Sequence, residues 1–279
     1  MEGNTELARL LDWQIISGAD EAIGDAPIDR YASSAQFSAP VASARVAAPS
    51  EPIATPQSAS PQPFQPVRSP EPKLVPRNQI EQTARELAQA AKSLAELRDA
   101  FEAFDGCPLK ETATNFVFSD GNPESALMLI GEAPGAEEDR RGIPFIGPAG
   151  QLLDRMLAAI GLDRSSVYIT NILPWRPPGN RNPTDGEISA CLPFIERHIE
   201  LVAPRILVPV GGISAKSLLN TREGIMKTRG RWFKYASPTM ETPIAARPIL
   251  HPAYLLRSPA QKRETWSDLL AIGERLSEE

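Results

Sequence analysis

Three short apolar runs, each closed by a turn residue and followed by a stretch of helical periodicity, limit this chain to few architectures. Residues 126–131 (ALMLIG), 167–172 (VYITNI) and 205–211 (RILVPVG) lack the polar alternation of a half-exposed strand. Runs of that length bounded by turns suit strands buried on both faces, as in parallel sheets. Residues 149–160 (AGQLLDRMLAAI) and 187–202 (EISACLPFIERHIELV) fall between them with helical spacing of apolar positions. A fourth run over 244–251 precedes a last helix at about 260–276. This order predicts a three-layer α/β/α sandwich around a central, mostly parallel four-stranded sheet. Ligands of such sheets bind beyond the carboxyl ends of the strands, so the residues just after each run are the informative ones.

Upstream the composition changes. Residues 78–104 are rich in strong helix formers and start with Asn78 as a candidate cap, which predicts one long helix. Ten prolines lie between Ser38 and Pro76, amid Ala, Ser and Gln. Such a segment cannot bury enough apolar area to offset its ordering entropy, so residues 31–76 are expected to be a disordered linker. Residues 1–30 then form a tethered segment with an amphipathic helix over 5–16 (Leu7, Leu10, Leu11, Ile15), either a frayed terminus or a docking peptide for a partner. Residues 77–279 are expected to make the folded domain.

The first residues, MEGNTELARLLDWQ, lack the basic flank and apolar centre of a secretory signal, and no apolar run approaches the roughly 20 residues of a membrane span. With 2 cysteines in 279 residues, a reducing cytoplasm is the expected location. Net charge is −6, yet residues 201–279 carry 12 Lys and Arg against 7 Asp and Glu. Binding to phosphate depends on the face presented rather than on the sum, so the charge permits a nucleic-acid partner without requiring one.

After the first run comes GEAPGAEEDRRGIPFIGPAG. Its glycines and proline allow close backbone approach to a ligand, or simply a tight strand-to-helix turn. Glu132, Glu137, Glu138 and Asp139 make this loop too acidic for a phosphate cradle, and it has no P-loop lysine. Carboxylates at a strand end suit activation of water. After the second run comes Asn171, then LPWRPPGNRNPT. An Asn there caps turns, or offers an amide that both donates and accepts, fitted to a pyrimidine edge. After the fourth run comes HPAYLLRSPAQKR. His251 is one of 2 histidines and is followed by a rigid proline, an apolar Leu255–Leu256 pair, and Arg257, Ser258, Lys262 and Arg263, which suit phosphate contacts. The other histidine, His198, lies within an amphipathic helix and is assigned no chemistry.

In this order and at these strand ends, GEAPG with EED, PFIG and AGQLLDRML, then TNIL and RPPGNRNPT, then HPAYLLR resemble the uracil-DNA glycosylase superfamily, and its family 4, the iron-sulfur type, in particular. The resemblance runs from Cys107 through the final helix, about 170 residues. It implies an enzyme that flips deoxyuridine out of single- or double-stranded DNA and hydrolyses its N-glycosidic bond. It further implies that Glu132 positions or activates water, with Glu138 as rival; that Phe145 stacks on uracil in a pocket bordered by Gly131 and Ala133; and that Asn171 reads the Watson–Crick edge. His251 would donate to the developing uracil anion, and Leu255 or Leu256 would fill the gap in the duplex. Arg176 joins the basic residues above as a DNA contact, and family habit implies a monomer.

The chain departs from family 4 in one respect. The family holds a [4Fe-4S] cluster on four cysteines, and here only Cys107 and Cys191 match; Phe104 and Trp175 stand at the other two positions. A cubane needs about four thiolates, so no cluster and no other cofactor is expected. The two aromatic side chains would instead join the N-terminal helix to the RPPGNR loop by apolar packing. Family members that trap DNA covalently use a histidine in a basic insertion after the second strand; this chain has neither, which points to turnover. Two other functions share these motifs: a catalytically weak damage-binding protein, against which retention of Glu132, Asn171 and His251 weighs, and a glycosylase of broader deaminated-base specificity, for which the small Ala133 would leave room.

Overall fold

The computed structural model describes residues 76–278; the segment and linker expected over 1–75 lie outside the described residues. The helical stretch ahead of the sheet is two helices, α1 (Arg77–Ala90) and α2 (Leu94–Ala103), rather than one. The Ser93 hydroxyl accepts from the Glu96 amide at 3.2 Å, and the Glu96 carboxylate accepts from the Lys92 amide at 2.7 Å. This reciprocal capping starts a new helix within a run of good helix formers. Asn78 caps nothing: Pro76 takes the cap position of α1.

The sheet has six strands in the order β1-β3-β2-β4-β6-β5. The four central ones, β2 (Leu127–Gly131), β3 (Tyr168–Asn171), β4 (Ile206–Pro209) and β6 (Ile244–Ala246), are parallel and correspond to the four expected runs. The four-stranded expectation is corrected by two antiparallel edges, β1 (Ser119–Gly121) and β5 (Phe233–Tyr235). Each is three residues long, SDG and FKY, too short to leave a periodic signal. β6 is also shorter than the run 244–251; beyond it only a single bridge, Val210 to Ile249, continues the pairing.

Alternate residues of the buried strands face opposite layers. Met128 and Ile130 join Phe101, Phe194 and Ile199, the layer of α1, α2, α5 (Asp185–Val202) and α6 (Gly212–Leu219). Leu127 and Leu129 join Leu153, Leu157 and Ile272, the layer of α4 (Pro148–Ala158) and α9 (Lys262–Ser277). Between these, α3 (Ala136–Arg141) follows β2, α7 (Ile225–Thr228) follows α6, and α8 (Pro252–Arg257) follows the β6 segment. Both faces of the sheet are covered, so its open end is where a ligand can enter: the carboxyl ends of β2, β3 and β6.

Candidate active site

A cleft of about 400 Å³ opens at those ends, and Glu132, Ala133, Phe145, Asn171, His251 and Arg257 are among its lining residues. The registers explain the meeting. Gly131 at the end of β2 pairs with Asn171 at the end of β3. A Cβ at Gly131 would approach the Phe145 ring to 2.6 Å and collide with the Asn171 side-chain oxygen, so glycine there lets the ring and the amide share one space.

Asn171 is buried, and among the described residues its Oδ1 has no hydrogen-bond partner. A buried polar atom without a partner costs free energy, and this one, at the cleft, retains its capacity to accept a hydrogen bond. Glu132, half-buried directly after β2, has its carboxyl pushed above the usual carboxylate range by burial.

His251 follows the β6 segment and caps α8. Its Nδ1 accepts from the Ala253 amide at 3.1 Å. That bond requires an unprotonated Nδ1, which assigns the proton of the neutral ring to Nε2. Burial, and after it the Arg257 cation, lower the imidazole pKa to about 4, against a smaller opposing effect of Glu138. The ring is therefore neutral at physiological pH and is a donor through Nε2. Phe145 lies against it, centroids 5.7 Å apart and planes at 28°.

Glu138 is differently engaged. One oxygen accepts from Gly135 N at 3.1 Å, the other from Ile146 N at 3.0 Å and Gly147 N at 2.8 Å. Its carboxylate ties the start of the loop to its end. Glu138 lines the cleft too, but Glu132 is the lining carboxyl with no such bonds among the described residues.

The other sequence-derived positions divide. Leu255 is buried against Leu152 and Leu250 and cannot project into DNA, a correction to its reading as a wedge; Leu256 beside it is 41% exposed. Arg257 is exposed on the cleft, and Lys262 and Arg263 are exposed at the start of α9. Among the described residues none of these three cations is in an ion pair. Ser258 is half-buried between α8 and α9. Arg176 is bonded to Asn180 at 2.7 Å and does not line the cleft. Tyr254 and Arg181 do line it. Both sat inside the HPAYLLR and RPPGNRNPT motifs without being singled out, since neither residue type announced a role. His198 is buried in α5 with Nε2 2.8 Å from the Tyr168 hydroxyl, a structural setting.

Phe104, Cys107, Trp175 and Cys191 are all buried. Phe101 stacks on Phe194 at 4.2 Å and meets Trp175 edge-on at 5.5 Å, and Phe104 tilts against Phe194 at 5.1 Å. The contact between helix and loop expected for Phe104 and Trp175 thus runs through Phe101 and Phe194. Burial raises the pKa of the Cys191 thiol, and the neighbouring Cys191 lowers that of the Cys107 thiol. Two thiols and two aromatic rings do not fit a four-thiolate cluster. Among the described residues no group of three or more His, Cys, Asp or Glu could hold a metal ion, and no helix is long and apolar enough to cross a membrane.

A parallel sheet with an acidic loop after one strand, an amide after the next and a helix-capping histidine after the last defines a class, and comparison with known families gives the same one. The model of the uracil DNA glycosylase superfamily matches residues 118–270, and the chain belongs to that superfamily. Within it the chain is family 4-like. It is 39% identical over 172 residues to a type-4 uracil-DNA glycosylase of Archaeoglobus fulgidus, covering 60% of this chain and 85% of that protein. A type-4 uracil-DNA glycosylase of Sulfurisphaera tokodaii is 37% identical over 187 residues, 65% of this chain and 84% of its own length. A type-5 uracil-DNA glycosylase of Thermus thermophilus is 34% identical over 114 residues, 36% of this chain and 52% of that one.

Proposed function

We propose that this chain is a uracil-DNA glycosylase that releases uracil from DNA and leaves an abasic site. The observation that carries the proposal is the buried, unpartnered Oδ1 of Asn171 in the same cleft as the neutral His251 and the desolvated Glu132. Uracil offers an N3–H donor beside the O4 acceptor; an amide supplies one acceptor and one donor in the matching order. Cytosine presents an acceptor at N3 and a donor at N4, the reverse pattern, and would leave Oδ1 facing a lone pair.

The target nucleotide has to leave the duplex stack for its anomeric carbon to be reached. Phe145 then provides a stacking face for the base. As the C1′–N1 bond breaks, its electron pair passes to uracil and spreads onto O2, where the Nε2–H of His251 donates. A fixed donor aimed at developing charge is worth about 10²–10³ in rate. The deoxyribose acquires oxocarbenium character, which the Glu132 carboxylate stabilises while orienting water toward C1′ and taking its proton. Burial raises the basicity of Glu132, which suits that task. Leu256, exposed beside the cleft, occupies the space vacated in a duplex. Arg257, Lys262 and Arg263 meet the phosphates.

Aromatic packing around Phe104 and Trp175 takes the structural place of an iron-sulfur cluster in this reading, and no step of the reaction needs one. The test is to incubate the full chain with oligonucleotides carrying uracil, single-stranded and opposite A or G, and cytosine controls. Alkali-labile sites are expected at uracil and not at cytosine. Absence of uracil release at every salt concentration would defeat the proposal.

A further inference from the structure

Phe145 stands on a backbone that its residue type disfavours. Its φ is +54°, in the left-handed region, where a Cβ crowds the following carbonyl. Such a residue persists only where its surroundings over-determine it. On the α4 side Gly150 leaves the room: a Cβ there would overlap the Phe145 carbonyl. The amide of the next peptide is taken by the Glu138 carboxylate, Ile146 N at 3.0 Å, and the carbonyls are taken by one guanidinium. Arg164, in the segment between α4 and β3, donates from Nη1 to the Pro144 carbonyl at 3.2 Å and from Nη2 to the Phe145 carbonyl.

Arg164 is itself aimed by two carboxylates on different elements. Its Nε meets Asp154 of α4 at 2.9 Å, and its Nη1 meets Asp120 of β1 at 2.5 Å. The planar fork of arginine can reach two carbonyls and two carboxylates at once, which a lysine cannot. The edge strand β1, invisible in the sequence pattern, thereby acts on the cleft: it helps orient the group that holds two successive carbonyls behind the Phe145 ring.

We propose that Arg164 is a positioning residue for the reaction, holding Phe145 in its left-handed conformation so that the ring faces the base in the cleft. This rests on the stacking role proposed above for Phe145. An ion pair at a partly exposed arginine contributes little to stability by itself. If Arg164 served only the fold, its removal would lower the melting temperature and act on the rate independently of Phe145. If it acts through Phe145, the two substitutions are coupled.

The experiment is a cycle of wild type, Arg164→Gln, Phe145→Ala and the double variant, all full-length, read as single-turnover uracil release with enzyme in excess. Arg164→Gln is expected to slow release roughly ten- to a hundredfold, the scale of a small misplacement in an active site. In the Phe145→Ala background the same change should cost less than about twofold. Equal factors in both backgrounds overturn the proposal. Should Arg164→Gln fail to fold, Asp154→Asn removes one support only and should show the same coupling at smaller size. A crystal structure of Arg164→Gln, or of Asp154→Asn in its place, is independent of activity. Phe145 is expected to leave the positive-φ region there, and an unmoved Phe145 overturns the proposal even if the wild type proves inactive on uracil.

Discussion

The cleft at the strand ends and the aromatic cluster between α2 and α5 spend free energy in opposite ways. In the cleft, Asn171 keeps a buried oxygen without a partner, Glu132 keeps a desolvated carboxyl, His251 is held neutral, and Phe145 sits at positive φ. In the cluster, rings pack on rings: Phe101 on Phe194, Phe104 against Phe194, Trp175 against Phe101. A structural staple is replaceable by anything of suitable shape that fills the space. A catalytic group has to be a particular atom at a particular point. On the proposed reading, that difference is why Glu132, Asn171 and His251 are needed as they are in the cleft, whereas Phe104 and Trp175 can do by packing what other side chains could do as well.

The largest effect expected is in the cleft. His251→Ala should lower single-turnover uracil release by about two to three orders of magnitude, while loss of the α8 cap costs only about 1 kcal/mol of stability. A wild-type rate in that variant would remove His251 from the chemistry. Phe104→Ala should do the reverse: roughly 3–5 kcal/mol of unfolding free energy lost, read by denaturant titration, with the rate of the protein that stays folded within about twofold of wild type. A large rate loss without destabilisation would mean that the two regions are not separable.

Acid sharpens the comparison next. The folded pKa of His251 is depressed to about 4 from 6.5, and that of His198 to about 3 from 6.5, both by burial foremost. Between those values the unfolded chain takes up protons that the folded chain refuses. The histidine contribution is therefore constant above pH 6.5, and stability falls as pH drops toward 4, with a slope approaching about two protons per chain. Denaturation midpoints against pH check this. The rate should fall earlier on the acid side than an ordinary carboxylate would dictate, because burial raises the pKa of Glu132. The smallest effect is at the rim. Leu256→Ala should slow release from duplex substrates several-fold and leave single strands nearly unchanged, since only a duplex has a gap to fill.

The four parallel strands and the residues after them were legible because buried strands carry an unbroken apolar run and the site of a parallel sheet lies at its carboxyl ends. Asn171, His251, Phe145 and Glu132 therefore came together as expected. Strands β1 and β5 were illegible: three residues such as Ser119–Gly121 show no period. The break at residues 91–93 did leave a sign in the S-x-x-E of Ser93 and Glu96, which helix propensity over the whole stretch obscured. Which of Leu255 and Leu256 faces solvent was a matter of helix phase in a single turn, and Glu138 looked like Glu132 until its three amide partners were in place. Arg164 gave no signal at all, because its carboxylate partners lie 10 and 44 residues away and its carbonyl partners 20 and 19.

If the cleft works as a uracil-DNA glycosylase while the aromatic cluster does the structural work of a metal centre, uracil release does not depend on iron. Iron is assayed in the purified full-length chain, and uracil release is measured with that same sample. Abasic sites are expected to form at uracil with protein that carries far less than one iron per chain. No release, or release confined to protein carrying stoichiometric iron, would contradict this.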